Sequence, residues 1–302
     1  MEVDMELNGF KQFLTKQDSS ILTIDAYCRD VTMFSHWFEQ TNGEELNPKN
    51  LTSMDVRDYK QFLLVHQQAR PATINRRLAS IRMYVNWALD SKEISYNPIS
   101  GIRGVGEQKL SPKWLSKLEQ AALIREAEKK ILASTTPVRG FEARRDRSIL
   151  ILMLNTGLRL SELCSLELHD IQLSERKGML IVRNGKGMKT RTIPLNNSAR
   201  KAIQDWFHIR PDTLSKNLFI GMKGDLKQRA IQEILKDLGE KANVHVTPHT
   251  LRHSFGKNLI NTDRVSLDKV GMLLGHSSLN STKIYTTPSL KDLNDSVGFL
   301  DE

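Results

Sequence analysis

Thr247-Pro-His-Thr-Leu-Arg-His253 is the stretch on which the reading of this chain turns. Thr247 is a good N-cap and Pro248 suits the first helical position, so a helix starts here. His249, Arg252 and His253 then share one face near its N-terminal end, where unpaired backbone N–H groups already favour an anion. His249 and His253 have the i,i+4 spacing of zinc-binding HExxH helices, but Thr250 stands in place of the general-base Glu and Leu259 in place of a third histidine. No metal site is assigned on that ground. A histidine and an arginine beside a helix N-terminus instead make a phosphate site with a proton-transfer group built in.

Three further pieces lie outward from this helix. In Leu274-Gly-His276, Gly275 reads as a helix C-cap that exposes His276, and Ser281-Thr-Lys-Ile-Tyr285 follows with the only tyrosine after Tyr96. Taken alone, such a tyrosine reads as amphipathic packing. Upstream, Thr156-Gly-Leu-Arg-Leu-Ser-Glu-Leu163 breaks one helix at Gly157 and puts Arg159 in the first turn of the next. Glu162 is placed to orient the Arg159 guanidinium, the ordinary alternative being a surface pair at i,i+3. Between these pieces, Gly178-Met-Leu-Ile-Val-Arg183 and Thr190-Arg-Thr-Ile-Pro194 flank Asn184-Gly185-Lys186-Gly187, a hairpin signal with Lys186 at its tip.

The remaining periodicity is helical. Residues 5–16, 23–40, 54–68 and 72–90 form an expected bundle, with a Thr52/Asp55 capping box and Ile74, Leu78, Ile81, Val85 and Ala88 at helical spacing. Asn97-Pro98, Gly101, Gly104, Gly106 and Pro112 then gather helix breakers, so the domains are placed at 1–100 and 113–302 with a linker at 101–112. In the second half, helices are expected near 116–133, 141–155, from Gly157 to about 168, and at 198–209, 227–241, 247–260, 266–274 and 279–285. The fold class is mainly α, with a helical N-terminal domain and a mixed α+β C-terminal domain holding one small antiparallel sheet.

Charge divides along the same boundary. Residues 1–108 carry 12 Lys and Arg against 14 Asp and Glu, whereas residues 109–302 carry 32 against 21. A surplus of this kind suits a polyanion, because each phosphate neutralised releases condensed counterions. Cys28 and Cys164 form no CxxC pair, and the N-terminal MEVDMELNGF lacks a signal-peptide pattern. The longest apolar run, residues 149–154, is far short of a membrane span, so a reducing, cytoplasmic setting without membrane contact is expected.

In order along the chain, Arg159, Lys186, His249-x-x-Arg252, His276 and Tyr285, in the settings GLRxSEL, GKG, PHxLRH, LLGH and IY, resemble the tyrosine recombinase (phage integrase) family. The resemblance covers the C-terminal half throughout. It reaches the N-terminal half in Pro71-Ala-Thr-Ile-Asn-Arg-Arg-Leu-Ala-Ser-Ile-Arg82, which looks like the family's core-binding helix. It implies a SAM-like core-binding domain before a recombinase catalytic domain, acting on a double-stranded DNA site. It implies Tyr285 as the nucleophile of a 3′-phosphotyrosine intermediate, with Arg159, Arg252 and His276 on the phosphate and His249 in proton transfer. Lys186 is a general acid for the leaving 5′-oxygen or a phosphate clamp. Arg76, Arg77, Arg82, Lys189 and Arg191 are the expected DNA contacts. No metal or nucleotide cofactor is implied, strand exchange takes a homotetramer on two sites, and accessory DNA-binding proteins are conceivable partners.

The tail carries Leu290, Leu293, Val297 and Leu300 at helical spacing. The family docks such tails on a neighbouring subunit, and packing within the same chain is the alternative. The layout looks closest to Xer-type recombinases and simple transposon relatives, with integration, resolution and excision all open. Thr286-Thr287-Pro288 after the tyrosine and the long basic stretch 131–147 depart from the Xer pattern and tilt the reading toward a mobile element. A type IB topoisomerase, separable by plasmid relaxation, and a non-catalytic DNA-binding regulator, separable by trapping on nicked DNA, are the rival readings.

Overall fold

The computed structural model describes residues 3–106, 113–183, 190–262, 264–276 and 280–286. The chain divides into two units between Lys109 and Leu110. The first holds helices α1 (Val3–Lys16), α2 (Ile21–Asn42), α3 (Ser53–Val65) and α4 (Pro71–Asp90). Local chemistry sets their ends: Ser20 caps α2, Gly43 closes it at φ 73°, Thr52 and Asp55 cap α3 reciprocally, and Pro71 opens α4. The expected α4 stripe of Ile74, Leu78, Ile81, Val85 and Ala88 is buried, and its neighbours Phe10, Phe34 and Tyr59 complete an aromatic-rich core.

The chain does not leave this unit at residue 101. Ile99 and Ile102 join its core, and the Asn75 side chain holds Val105 by both backbone groups, at 2.7 and 2.9 Å. Glycines at 101 and 104 read as linker from composition, but Ile99 before them and Ile102 between them have a face to bury. Residues 101–106 therefore pack on the first unit.

In the second unit, α5 (Lys117–Leu132) and α6 (Pro137–Thr156) are followed by the short α7 (Leu160–Ser165). Along α6, Ile149, Leu150, Leu152 and Met153 are all buried, as befits a C-terminal half that is apolar on every side and packed in the core. The expected hairpin forms as β2 (Gly178–Arg183) against β3 (Thr190–Pro194), antiparallel, with Val182 opposite Arg191 and Leu180 opposite Ile193. A third strand, β1 (Ile171–Leu173), adds to the other edge of β2. Three residues carry too little alternation to announce a strand. The same holds for β4 (Ile220–Gly221) and β5 (Gly224–Asp225), which form a separate two-stranded sheet.

Helices α8 (Asn197–Phe207), α9 (Gln228–Ala242), α10 (Pro248–Ile260), α11 (Leu267–Leu274) and α12 (Asn280–Lys283) complete the unit. Two helices are shorter than the periodicity suggests. Helix α7 stops at Ser165 because Leu166 is extended and Glu167 bridges to Asn217, while α12 turns at residue 284 into Tyr285. Among the described residues no helix is long and apolar enough to cross a membrane.

Candidate active site

Three arginines meet at the end of one helix. Gly275 closes α11 in the left-handed conformation at φ 67°, and the last carbonyls of the helix point at guanidinium groups. Arg191 Nε donates to the carbonyl of Leu273 at 3.0 Å, Arg252 Nη2 to that of Leu274 at 2.7 Å, and Arg159 Nη2 to that of Gly275 at 2.9 Å. The partial negative charge at a helix C-terminus favours cations there. Arg252 also donates to the carbonyl of Gly157 at 2.6 Å. Gly157 itself sits at φ 62°, and a Cβ on it would fall 2.4 Å from Phe255 and 2.8 Å from Leu274, so glycine is required both by backbone and by space.

One carboxylate organises two of the three. Glu162 receives Arg191 on both oxygens, each at 2.8 Å, and also the backbone N–H and Nη1 of Arg159 at 2.7 and 2.8 Å. Burial alone would raise its pKa, but the bonds from Arg191 and Arg159 outweigh burial and bring it down to about 2. Arg159 is thus the N-cap of α7 rather than a residue of its first turn, and its side chain stays 41% exposed. Arg252 is different. It is 6% exposed, and among the described residues no carboxylate lies within ion-pair distance. Burial and then the charge of Arg159 lower its pKa to about 10.

The aromatic residues close the site. His276 follows Gly275, accepts or donates at 2.9 Å to the Thr282 hydroxyl through Nδ1, and lies parallel to the Tyr285 ring with centroids 6.2 Å apart. Tyr285 is 1% exposed, and it packs against Gly256, where a Cβ would come within 2.7 Å of its ring. Its hydroxyl lies 3.1 Å from Nδ1 of His253, whose Nε2 lies 2.7 Å from Nε2 of His249. Burial pushes the Tyr285 pKa up against the pull of Arg252 and Arg159. Burial and the nearby arginines bring His276 down to about 4, and burial with His249 and Arg252 does the same for His253. At neutral pH these imidazoles are uncharged and serve as hydrogen-bonding and proton-accepting groups.

Buried guanidinium, oriented guanidinium, imidazole and phenol are thus gathered by α6, α7, α10, α11 and α12. Residues 114–291 match the phage integrase family, and residues 7–94 match the N-terminal SAM-like domain of phage integrases. The chain belongs to the phage integrase family of tyrosine recombinases. Tyrosine recombinase XerC of Xanthomonas campestris pv. campestris is 31% identical over 292 residues, covering 94% of this chain and 85% of the relative. Tyrosine recombinase XerA of Pyrococcus furiosus is 37% identical over 207 residues, covering 67% and 69%. The XerH site-specific recombinase bound to palindromic difH substrate shares the fold, with a TM-score of 0.77 at 22% identity over 95% of this chain and 82% of that one. The family resemblance and the architecture drawn from the motifs both stand.

Within this tyrosine recombinase, Arg159, His249, Arg252, His276 and Tyr285 come together as described, while Lys186 and Lys189 lie outside the described residues. The expected DNA contacts find other partners. Arg191 has a side chain 11% exposed and paired with Glu162. The signal was in the sequence, since period-two alternation puts Arg191 on the same face of β3 as the buried Ile193. On α4, Arg76 pairs with the buried Asp30, Arg77 donates to Gln67 at 3.1 Å, and Arg82 donates to the carbonyl of Ile102 at 2.7 Å. Sequence reasoning put His253 on the face of His249 and Arg252 but weighed it only as a zinc ligand, and it gave no role to Thr282 or Gly256. Nothing in local spacing places them against Tyr285 or His276.

Proposed function

We propose that this recombinase cuts and rejoins double-stranded DNA at specific sites through a 3′-phosphotyrosine bond at Tyr285. The observation that carries the reading is Arg252, a buried cation that among the described residues is held by backbone carbonyls and lies close enough to Tyr285 to interact with it electrostatically. A phosphodiester entering there supplies the missing counter-charge, and charge-assisted bonds to its non-bridging oxygens strengthen as negative charge builds up in the transition state. Arg159 and His276 add donors from α7 and from the end of α11. Tyr285 Oη forms its bond to phosphorus as the bond to the 5′-oxygen breaks, and Lys186 delivers the proton to that oxygen. A 5′-hydroxyl from another strand then reverses the step, so the energy of the cleaved bond is kept.

The reaction runs on a pair of sites held by four copies of the chain, in the cytoplasm, with Arg76, Arg77 and Arg82 of α4 contributing to DNA binding together with Lys189 and Arg191. Thr286-Thr287-Pro288, following the nucleophile, supports a role in the movement of a mobile element. The basic stretch before GLRxSEL lends less support, since Arg145 and Arg147 there are spent on Asp146, Glu128 and Asp205.

The test is a library of nicked random duplexes incubated with the protein and resolved under denaturing conditions. The unaltered chain is expected to retain DNA covalently, and Tyr285→Phe to bind without retaining it. Sequencing the trapped DNA gives the site, and element ends among the trapped sequences support the mobile-element role. An adduct that persists in Tyr285→Phe refutes the assignment.

A further inference from the structure

We propose that His253 is a proton-relay residue, carrying the proton of the Tyr285 hydroxyl to His249. The inference rests on the strand-cleavage reading above and assigns a role within it to a side chain outside the phosphate cradle.

The geometry forms an unbroken line from the nucleophile toward solvent. Tyr285 Oη is 3.1 Å from His253 Nδ1, and His253 Nε2 is 2.7 Å from His249 Nε2. Tyr285 and His253 are buried, whereas His249 is exposed at the start of α10. A proton released from a buried phenol needs a path out, and a lone imidazole at His249 has no direct bond to that hydroxyl among the described residues. One hydrogen placement satisfies all three groups at once. Tyr285 donates to Nδ1 of His253, Nε2–H of His253 donates to Nε2 of His249, and His249 keeps its hydrogen on Nδ1. The helix makes this possible, because residues at i and i+4 face each other one turn apart, and the two rings meet edge to face with centroids 4.1 Å apart.

In the forward step the Tyr285 O–H bond breaks as Oη bonds phosphorus. The proton goes to His253 Nδ1 while His253 passes its Nε2 proton to His249. His253 ends neutral with its hydrogen on Nδ1, and His249 ends as an imidazolium. Rejoining runs the same line backward, protonating Oη as it leaves phosphorus, so no separate tautomer reset is required. The low pKa of His253 fits a group that transmits a proton without holding it. Among the described residues, the charged or titratable groups that bear on His253 are His249 and Arg252 on its own helix, His276 after α11 and Tyr285 after α12.

The test measures single-turnover formation of the covalent adduct on a nicked duplex trapped by this protein, with DNA affinity followed in parallel by gel shift. His253→Ala is expected to slow adduct formation about 10²-fold near pH 7 with affinity unchanged. His253→Asn, which can still bond the hydroxyl but cannot reach His249 or take up a proton, is expected to be about as slow. The His249→Ala/His253→Ala double variant should be no slower than the worse single variant, because both interrupt one path. The deficit of His253→Ala should narrow as pH rises past about 10, the ordinary phenol value above which burial holds Tyr285, because an ionised phenol needs no relay. A near-normal rate for His253→Asn, multiplying defects in the double variant, or a deficit constant with pH overturns the relay. Lack of any adduct from the unaltered chain counts instead against the strand-cleavage reading itself.

Discussion

Glu162→Gln isolates the contribution of one buried carboxylate to the whole arginine cluster. Its side chain is 4% exposed, so solvent screens it little, and it takes four hydrogen bonds from Arg159 and Arg191. A carboxyl whose pKa falls from 4.5 to about 2 on folding contributes about 3 kcal/mol at neutral pH. Removing the charge while keeping the shape leaves Arg159 and Arg191 facing each other with no anion between them, and takes from Arg252 the more distant negative charge that favours its protonated form. A loss of about 3 kcal/mol lowers the Tm of a unit this size by roughly 6–12 °C. Because the folded pKa is the lower one, the contribution of Glu162 is complete above about pH 4.5 and fades as pH falls toward about 2. The gap between Glu162→Gln and the unaltered chain should therefore be constant from pH 8 to about pH 5 and close below that range. Calorimetry resolving the unit Leu110–Glu302 across pH measures both quantities. Equal melting at pH 7, or a gap that persists unchanged at pH 3, refutes the reasoning.

Further consequences follow from the same geometry. Arg252→Ala should slow adduct formation about 10²–10³-fold, as the loss of a preorganised donor to a developing oxyanion does, and a near-normal single-turnover rate contradicts its role. Gly256→Ala puts a Cβ 2.7 Å from the Tyr285 ring and should displace the nucleophile, cutting adduct formation while DNA affinity measured by gel shift holds. If Lys186 protonates the leaving 5′-oxygen, Lys186→Ala should regain its rate on a duplex whose 5′-bridging atom is a better leaving group. A pure phosphate clamp predicts no such rescue.

The sequence by itself determined the mainly α class, the order of the main helices and the β2–β3 pairing, and it singled out Arg159, His249, Arg252, His276 and Tyr285 as candidates. Each was legible because its signal is local: a cap, a helical stripe, an Asn-Gly turn, or a short motif whose residues sit within a few positions of one another. Tyr285 shows where that legibility stops. Its place after the other motifs singled it out, but its burial, its bond to His253 and the space left by Gly256 depend on the turn after α12 lying against α10. Arg191 shows another limit, a basic residue that the sequence offers as a DNA contact without showing what surrounds it. Alternation along β3 already pointed it inward, yet only the packed structure supplied Glu162 and the carbonyl of Leu273 to receive it. Local pattern can say which face a side chain occupies. Which buried charges neutralise one another, and which one is left waiting for a ligand, is settled by groups distant in sequence that meet only when the core closes.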